Sequence, residues 1–228
     1  KNNRFKSAME PFIADRMSDA NREQTSRFIT SIWDRMVEQI SVARNIPVAE
    51  LNRLATALDA TREADVAVEA GLLDGLLYKD EFMAEIRKKM DIKEEKKIPS
   101  VSLKKYMEYE PVKKDRAFVR NKIAVIYALG SIGGGEGDDY TIGSEKLSKT
   151  IREARLDTTV RAIVLRVNSP GGDALASDVI LRELMLAKFK KPVVASYGDV
   201  AASGGYWISC MADKIVAHEN SITGSIGV

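Results

Sequence analysis

Cysteine and histidine are almost missing from this 228-residue chain, which has one of each, Cys210 and His218. A single cysteine excludes an internal disulfide and any CxxC metal site, and the sequence implies no metal or other cofactor. His218 follows an apolar strand in a segment without a carboxylate-rich triad pattern, so a serine nucleophile in this chain needs a base other than histidine. Charge of one sign is lacking as well. The 35 basic and 33 acidic residues leave a net charge of +2, which gives no reason to expect nucleic acid as a partner. Long hydrophobic runs are missing, and the stretch Ile123–Leu129 is far too short to cross a bilayer. No signal peptide opens the chain, which begins Lys1-Asn-Asn-Arg4 and ends inside an apolar run, Ile226-Gly-Val228. We read it as a piece of a longer protein. Its 45% hydrophobic content is enough for a proper core, in one large domain or two smaller ones.

The two halves of the chain differ in character. From residue 18 to about 90 the pattern is helix after helix. Ser18 or Asp19 can cap a long helix carrying Phe28, Ile29, Ile32, Trp33, Met36, Val37 and Ile40 at helical spacing, a stripe expected to be core. Pro47 suits the first position of a helix over 48–58, Gly71 the position after a helix over 61–70, and Asp80 the cap of a last helix through Met90. Residues 91–116 are charged and irregular, as in a solvated connection, with Tyr106 and Tyr109 expected to pack down.

The second half alternates strand and helix. Strands are predicted at 122–129 (a buried run), 162–167, 192–196 and 214–217, with helices at 144–156, 175–189 and 203–211. Repeated βαβ units mean a parallel sheet whose ligands bind at the carboxyl ends of its strands. Two glycine-rich signals, Pro170-Gly-Gly172 and Ser203-Gly-Gly205, fall at such ends and are expected to lie near each other. Ser203 has two alanines before it and two glycines after it, at a predicted strand-to-helix turn. That is the usual presentation of a serine nucleophile, where small neighbours let a substrate backbone approach. The amides after Gly171 can point at an anion, and in acyl transfer each such donor stabilises the oxyanion by roughly 3–4 kcal/mol. Gly133–Gly137 lacks both GxxxxGK[ST] and a GxGxxG that opens a helix, so it is read as a loop and not as a phosphate cradle.

Three segments occur in order: Val167-Asn-Ser-Pro-Gly-Gly172, Gly198-Asp-Val-Ala-Ala-Ser-Gly-Gly-Tyr206 and Thr223-Gly-Ser-Ile-Gly227. Together they resemble the bacterial signal peptide peptidase A (SppA) family, serine proteases with a Ser-Lys dyad on a crotonase- and ClpP-like α/β fold. Phe5-Lys-Ser-Ala-Met-Glu-Pro-Phe12 resembles the segment bearing the dyad lysine in the long, tandemly duplicated form, where the first domain supplies the lysine and the second the serine. The resemblance implies Ser203 as nucleophile, Lys6 as general base, the N–H groups of Gly172 and Gly204 as oxyanion hole, and Ser225 as the serine orienting the lysine amine. A lysine serves as base near neutral pH only when burial disfavours its ammonium form, and Phe5, Ala8 and Met9 give Lys6 apolar neighbours.

Ala64–Leu77 resembles a late segment of one such domain, so residues 1–118 are expected to be the back of a lysine-bearing domain and 119–228 the front of a serine-bearing one. The resemblance further implies cleaved signal peptides and other apolar peptides as substrates. It also implies a homo-oligomer, a tetramer, at the bacterial inner membrane, facing the periplasm and anchored by a region outside this chain. In Ala217-His-Glu-Asn220 the chain departs from relatives that carry a proline, and His218 is read as a surface residue. Two alternatives remain open: a crotonase-like acyl-CoA enzyme, and a non-catalytic scaffold of the same fold.

Overall fold

The computed structural model describes residues 5–7, 10–107, 109 and 121–226, in two compact units, 1–111 and 112–228. The first unit is helical: α1 (Glu10–Ile13), α2 (Asp19–Arg44), α3 (Val48–Ala57), α4 (Asp59–Arg62), α5 (Ala64–Glu69), α6 (Lys79–Met90) and α7 (Leu103–Met107). Ser18 caps α2, its Oγ accepting from Asn21 N at 3.2 Å, and it in turn donates to Glu10 at 2.6 Å. The helix ends at Asn45, which takes the left-handed conformation a helix terminus needs. Pro47 stands one position earlier than expected, just outside α3. The helix predicted over 61–70 begins earlier and breaks at Glu63 into α4 and α5, because Leu58 already turns left-handed and starts a separate turn. Gly71 ends α5 at φ 77°, a conformation open to glycine.

The core of this unit is small: Val37, Ile46 and Leu51 cluster with Leu72 against them, and Leu54 and Ala67 are buried besides. Here the expectation for α2 fails. Of its apolar stripe only Val37 is buried, while Ile29 is 58% and Met36 46% exposed and Phe28, Trp33 and Ile40 are also open. Periodicity marks the apolar face of a helix, but burial requires partners. The ten-residue α3 is too short to cover 26 residues of α2. Tyr106 and Tyr109 are exposed too, and do not pack down.

The second unit contains β1 (Lys122–Leu129), β2 (Ser131–Gly133), β3 (Thr141–Gly143), α8 (Ser144–Leu156), β4 (Val160–Ser169), α9 (Ala174–Lys188), β5 (Val193–Ala202), α10 (Gly204–Trp207), β6 (Lys214–Val216) and β7 (Ile222–Gly224). The main sheet runs β1-β4-β5-β6, all parallel, and β7 pairs with the far end of β5. This is the α/β architecture the alternation predicted. Ile163, Leu165, Val167, Val193 and Ala195 face Ile151 of α8 and Ile180 and Leu184 of α9, all fully buried. The buried Glu183 ties the two helices together by accepting from Arg152 and Arg155, one guanidinium on each carboxylate oxygen. β1 is covered on one face only: Ile126 and Ala128 are core, but Ile123, Val125, Tyr127 and Leu129 are exposed, which corrects its reading as a buried run. The glycine-rich loop after β1 is ordered by pairing, since β2 and β3 align in parallel and Glu145 N donates to Gly135 O.

One irregularity aims the sheet at its functional end. Val167 pairs with Tyr197, but two residues later Ser169 pairs with Ala201, so β5 carries extra residues in a bulge. Asn168 fills it, accepting from Val200 N at 3.0 Å and donating to Asp199 at 3.3 Å. A side chain at Gly198 would lie 3.0 Å from Asn168 Cβ.

Candidate active site

β5 runs six residues beyond the end of the strand predicted at 192–196, to Ala202, and delivers Ser203 at its end. Ser203 has φ 50° and ψ −122°, a conformation that is strained for any residue with a side chain and that persists only where neighbours impose it. They do so on both sides. Ser203 N donates to Gly224 O and Ser203 O accepts from Trp207 N, each at 2.9 Å. Gly205 is packed against Ser169, where an added Cβ would meet Ser169 O at 2.4 Å. Below the turn, Tyr197 and Ser209 share a buried hydrogen bond of 2.9 Å, and burial pushes the Tyr197 hydroxyl above its ordinary pKa.

The two glycine-rich turns meet, as expected from their places at strand ends. A Cβ on Gly171 would stand 2.6 Å from Gly204 N and 2.8 Å from Ser203 Cβ, so nothing larger than glycine fits between them. Ser169 Oγ accepts from Gly171 N, and Asp173 caps α9. The bridge from Ile132 to this turn uses Gly171 O and Asp173 N. That leaves the Gly172 N–H, together with the first amide of α10 at Gly204, without an acceptor among the described residues.

Ser203, Gly204, Gly172 and Ser225 all line one cavity of about 600 Å³, completed by Ala174, Ser177, Asp178, Tyr206, Trp207 and Ile226. Ser225, with φ 49°, follows the β7 residue that pairs with Ala202, and this brings it beside the serine turn. No histidine or lysine is among the described lining residues. His218 is exposed in the turn between β6 and β7, its Nδ1 accepting from Asn220 N, as a surface residue would be. Lys6 belongs to the first unit and is exposed there, as is Phe5; Ala8 and Met9 lie outside the described residues. Among the described residues no cluster of His, Cys, Asp and Glu has the arrangement of a metal site.

The sequence reading missed Ser177, Asp178, Tyr206, Trp207 and Ile226 as cavity walls. Helical spacing from the Asp173 cap puts Ser177 one turn into α9, but only the closeness of the two turns shows that it lies against Gly204.

The family model described as Peptidase family S49 matches residues 1–93 and 186–228, which takes in Lys6, Ser203, Gly204 and Ser225 but not Gly172. "Protease 4" of Salmonella typhi is 41% identical over 98% of this chain and 37% of its own length. "Serine protease SPPA, chloroplastic" of Arabidopsis thaliana is 35% identical over 99% of this chain and 34% of its own. The chain therefore spans little more than a third of the length of either of these relatives. Among solved structures, a ClpP1 mutant from Listeria monocytogenes aligns over 44% of this chain and 50% of its own, with 24% identity and a TM-score of 0.31. The fold reading rests on the parallel sheet itself.

Proposed function

The chain belongs to peptidase family S49, and on that premise we propose that it carries the acyl-enzyme machinery of a serine endopeptidase, with Ser203 as nucleophile and Lys6 as general base. The observation that carries this reading is Ser203 at a strained strand-to-helix turn, in one cavity with the amides of Gly172 and Gly204. The neutral Lys6 amine takes the proton from Ser203 Oγ, and Oγ attacks the peptide carbonyl carbon. The Gly172 and Gly204 N–H groups receive the oxyanion. The lysine ammonium then protonates the leaving amine, and water, deprotonated by Lys6, cleaves the ester and restores the serine. Ser225 orients the amine.

Two features support a base other than histidine: the absence of a histidine from the described cavity walls, and the surface position of His218. Lys6 is exposed in its own unit, so the reading requires it to be covered when the dyad forms. The mostly apolar cavity walls fit apolar peptides such as cleaved signal peptides. We further place the protein in a homo-oligomer, a tetramer, at a bacterial inner membrane, catalytic part facing the periplasm and anchored by another region. No described helix is long and apolar enough to cross a membrane.

The test is a fluorophosphonate probe on the full-length protein, with mass spectrometry of the adduct. Labelling at Ser203, lost together with hydrolysis of an apolar peptide ester in Ser203→Ala, is the expected result. Turnover of CoA thioesters without labelling would indicate the crotonase-like alternative, and neither activity a scaffold.

A further inference from the structure

Trp207 lies four residues after Ser203, and its backbone N–H donates to Ser203 O, so it stands one helical turn from the serine. Its indole borders the 600 Å³ cavity, with Nε1 donating to Asp178 Oδ1 at 3.3 Å. Asp178 is on α9, the helix whose start carries the Gly171-Gly172 turn at its cap. Its neighbour Ser177 donates to Asp173 O at 2.7 Å, and its Oγ would be 2.5 Å from a Cβ on Gly204. One wall of the cavity is thus α9 and the facing one α10, and the indole-to-carboxylate bond joins them at the rim. Asp178 is the one charged side chain among the described lining residues, and it accepts from this neutral N–H. Apolar contact is non-directional and does not select one orientation of a half-exposed indole at the end of a four-residue helix, whereas a hydrogen bond is directional and favours the one that faces Asp178.

We propose that Asp178 is a positioning residue: by holding Trp207 across the cavity rim, it limits the size of the side chain admitted just before the cleaved bond. The inference rests on Ser203 being the nucleophile. The attacked carbonyl then lies between Ser203 Oγ and the Gly172 and Gly204 amides, and the side chain one bond away from it enters the space those residues line.

The experiment uses the full-length protein and a pair of peptide esters with alanine or leucine before the cut, comparing kcat/KM for the two. Asp178→Ala, and Trp207→Phe, which keeps a ring but removes the N–H, should both shift the ratio about tenfold in favour of leucine. Asp178→Asn, whose Oδ1 still accepts, should restore the original ratio. A purely structural fault lowers both rates together, so an unchanged ratio in Asp178→Ala overturns the proposal. So does a preference for Lys or Arg before the cut that is lost in both Asp178 variants, because Asp178 would then bind substrate charge directly. Fluorophosphonate labelling of Ser203 is followed in parallel. A constant ratio in a labelled protein removes the positioning role alone, whereas failure to label the unaltered protein removes the nucleophile and this inference with it.

Discussion

The two units meet the same physical problem, covering apolar faces that the sequence marks out equally clearly, and solve it to different degrees. In the second unit α8 and α9 lie on the sheet and leave Leu165, Ile180 and Leu184 without solvent contact. In the first, α2 is the longest helix of the described residues, yet Val37 is its only buried side chain. The second unit therefore draws its stability from a shared core, and the first relies more on local devices at helix ends. A layered core also permits strain, because a turn such as that at Ser203 survives only where rigid surroundings impose it.

The sharpest way to break the contrast is at glycines. Gly171→Ala must place a Cβ against Gly204 N at a φ of 99°, and should cost about 3 kcal/mol in urea unfolding together with nearly all activity. Gly75→Ala in the first unit meets nothing within 4 Å and should stay within about 0.5 kcal/mol. Similar costs at both sites would show that the serine turn is not tightly imposed.

Core truncation sharpens it further. Leu184→Ala should destabilise by about 3 kcal/mol, and Met36→Ala by less than about 1. If calorimetry gave Met36→Ala a cost equal to that of Leu184→Ala, the α2 stripe would have to be covered in solution. Glu183→Ala, which leaves Arg152 and Arg155 unpaired between α8 and α9, is expected to cost about 2 kcal/mol, less than a fully buried pair because Arg152 is half exposed.

The smallest effect belongs to the first unit. Hydrogen bonds from Ser18, then from Asn21, hold the Glu10 carboxyl below its ordinary pKa. A lowered folded pKa means that the stabilisation is fully present above the ordinary glutamate value and disappears as pH falls through the lowered one. The protection of the Asn21 amide, its exchange rate relative to that of an unstructured amide at the same pH, should therefore fall at acid pH, and Glu10→Gln should flatten that dependence. Unchanged protection across this range would mean that the contact does not hold the start of α2.

These contrasts also show what the sequence could and could not carry. Strand β1 and helix α8 were legible to the residue, because β-branched runs and an amphipathic period bounded by glycine or Asp157 leave little choice. The nearness of the Gly171-Gly172 and Ser203-Gly204 turns could be read from their places at strand ends, whereas Gly172, Gly204 and Ser225 were named as parts of one site only through the resemblance of their motifs to a known family. The exposure of α2 was not legible, since a period of 3.6 records which side chains share a face and nothing about the neighbour. Nor were Asp178 and Trp207, which belong to two different helices, α9 and α10, and meet only in the folded chain.

Whether a serine in a cavity without a histidine among its described walls works with a lysine base is read from the pH–rate profile of the full-length protein with Lys6 replaced by arginine. A guanidinium stays protonated and cannot accept the serine proton. A lysine base means a loss of about 10²–10⁴-fold in kcat at every pH, equal to that of Lys6→Ala. A Lys6→Arg protein with unaltered kcat and an unaltered profile would contradict it.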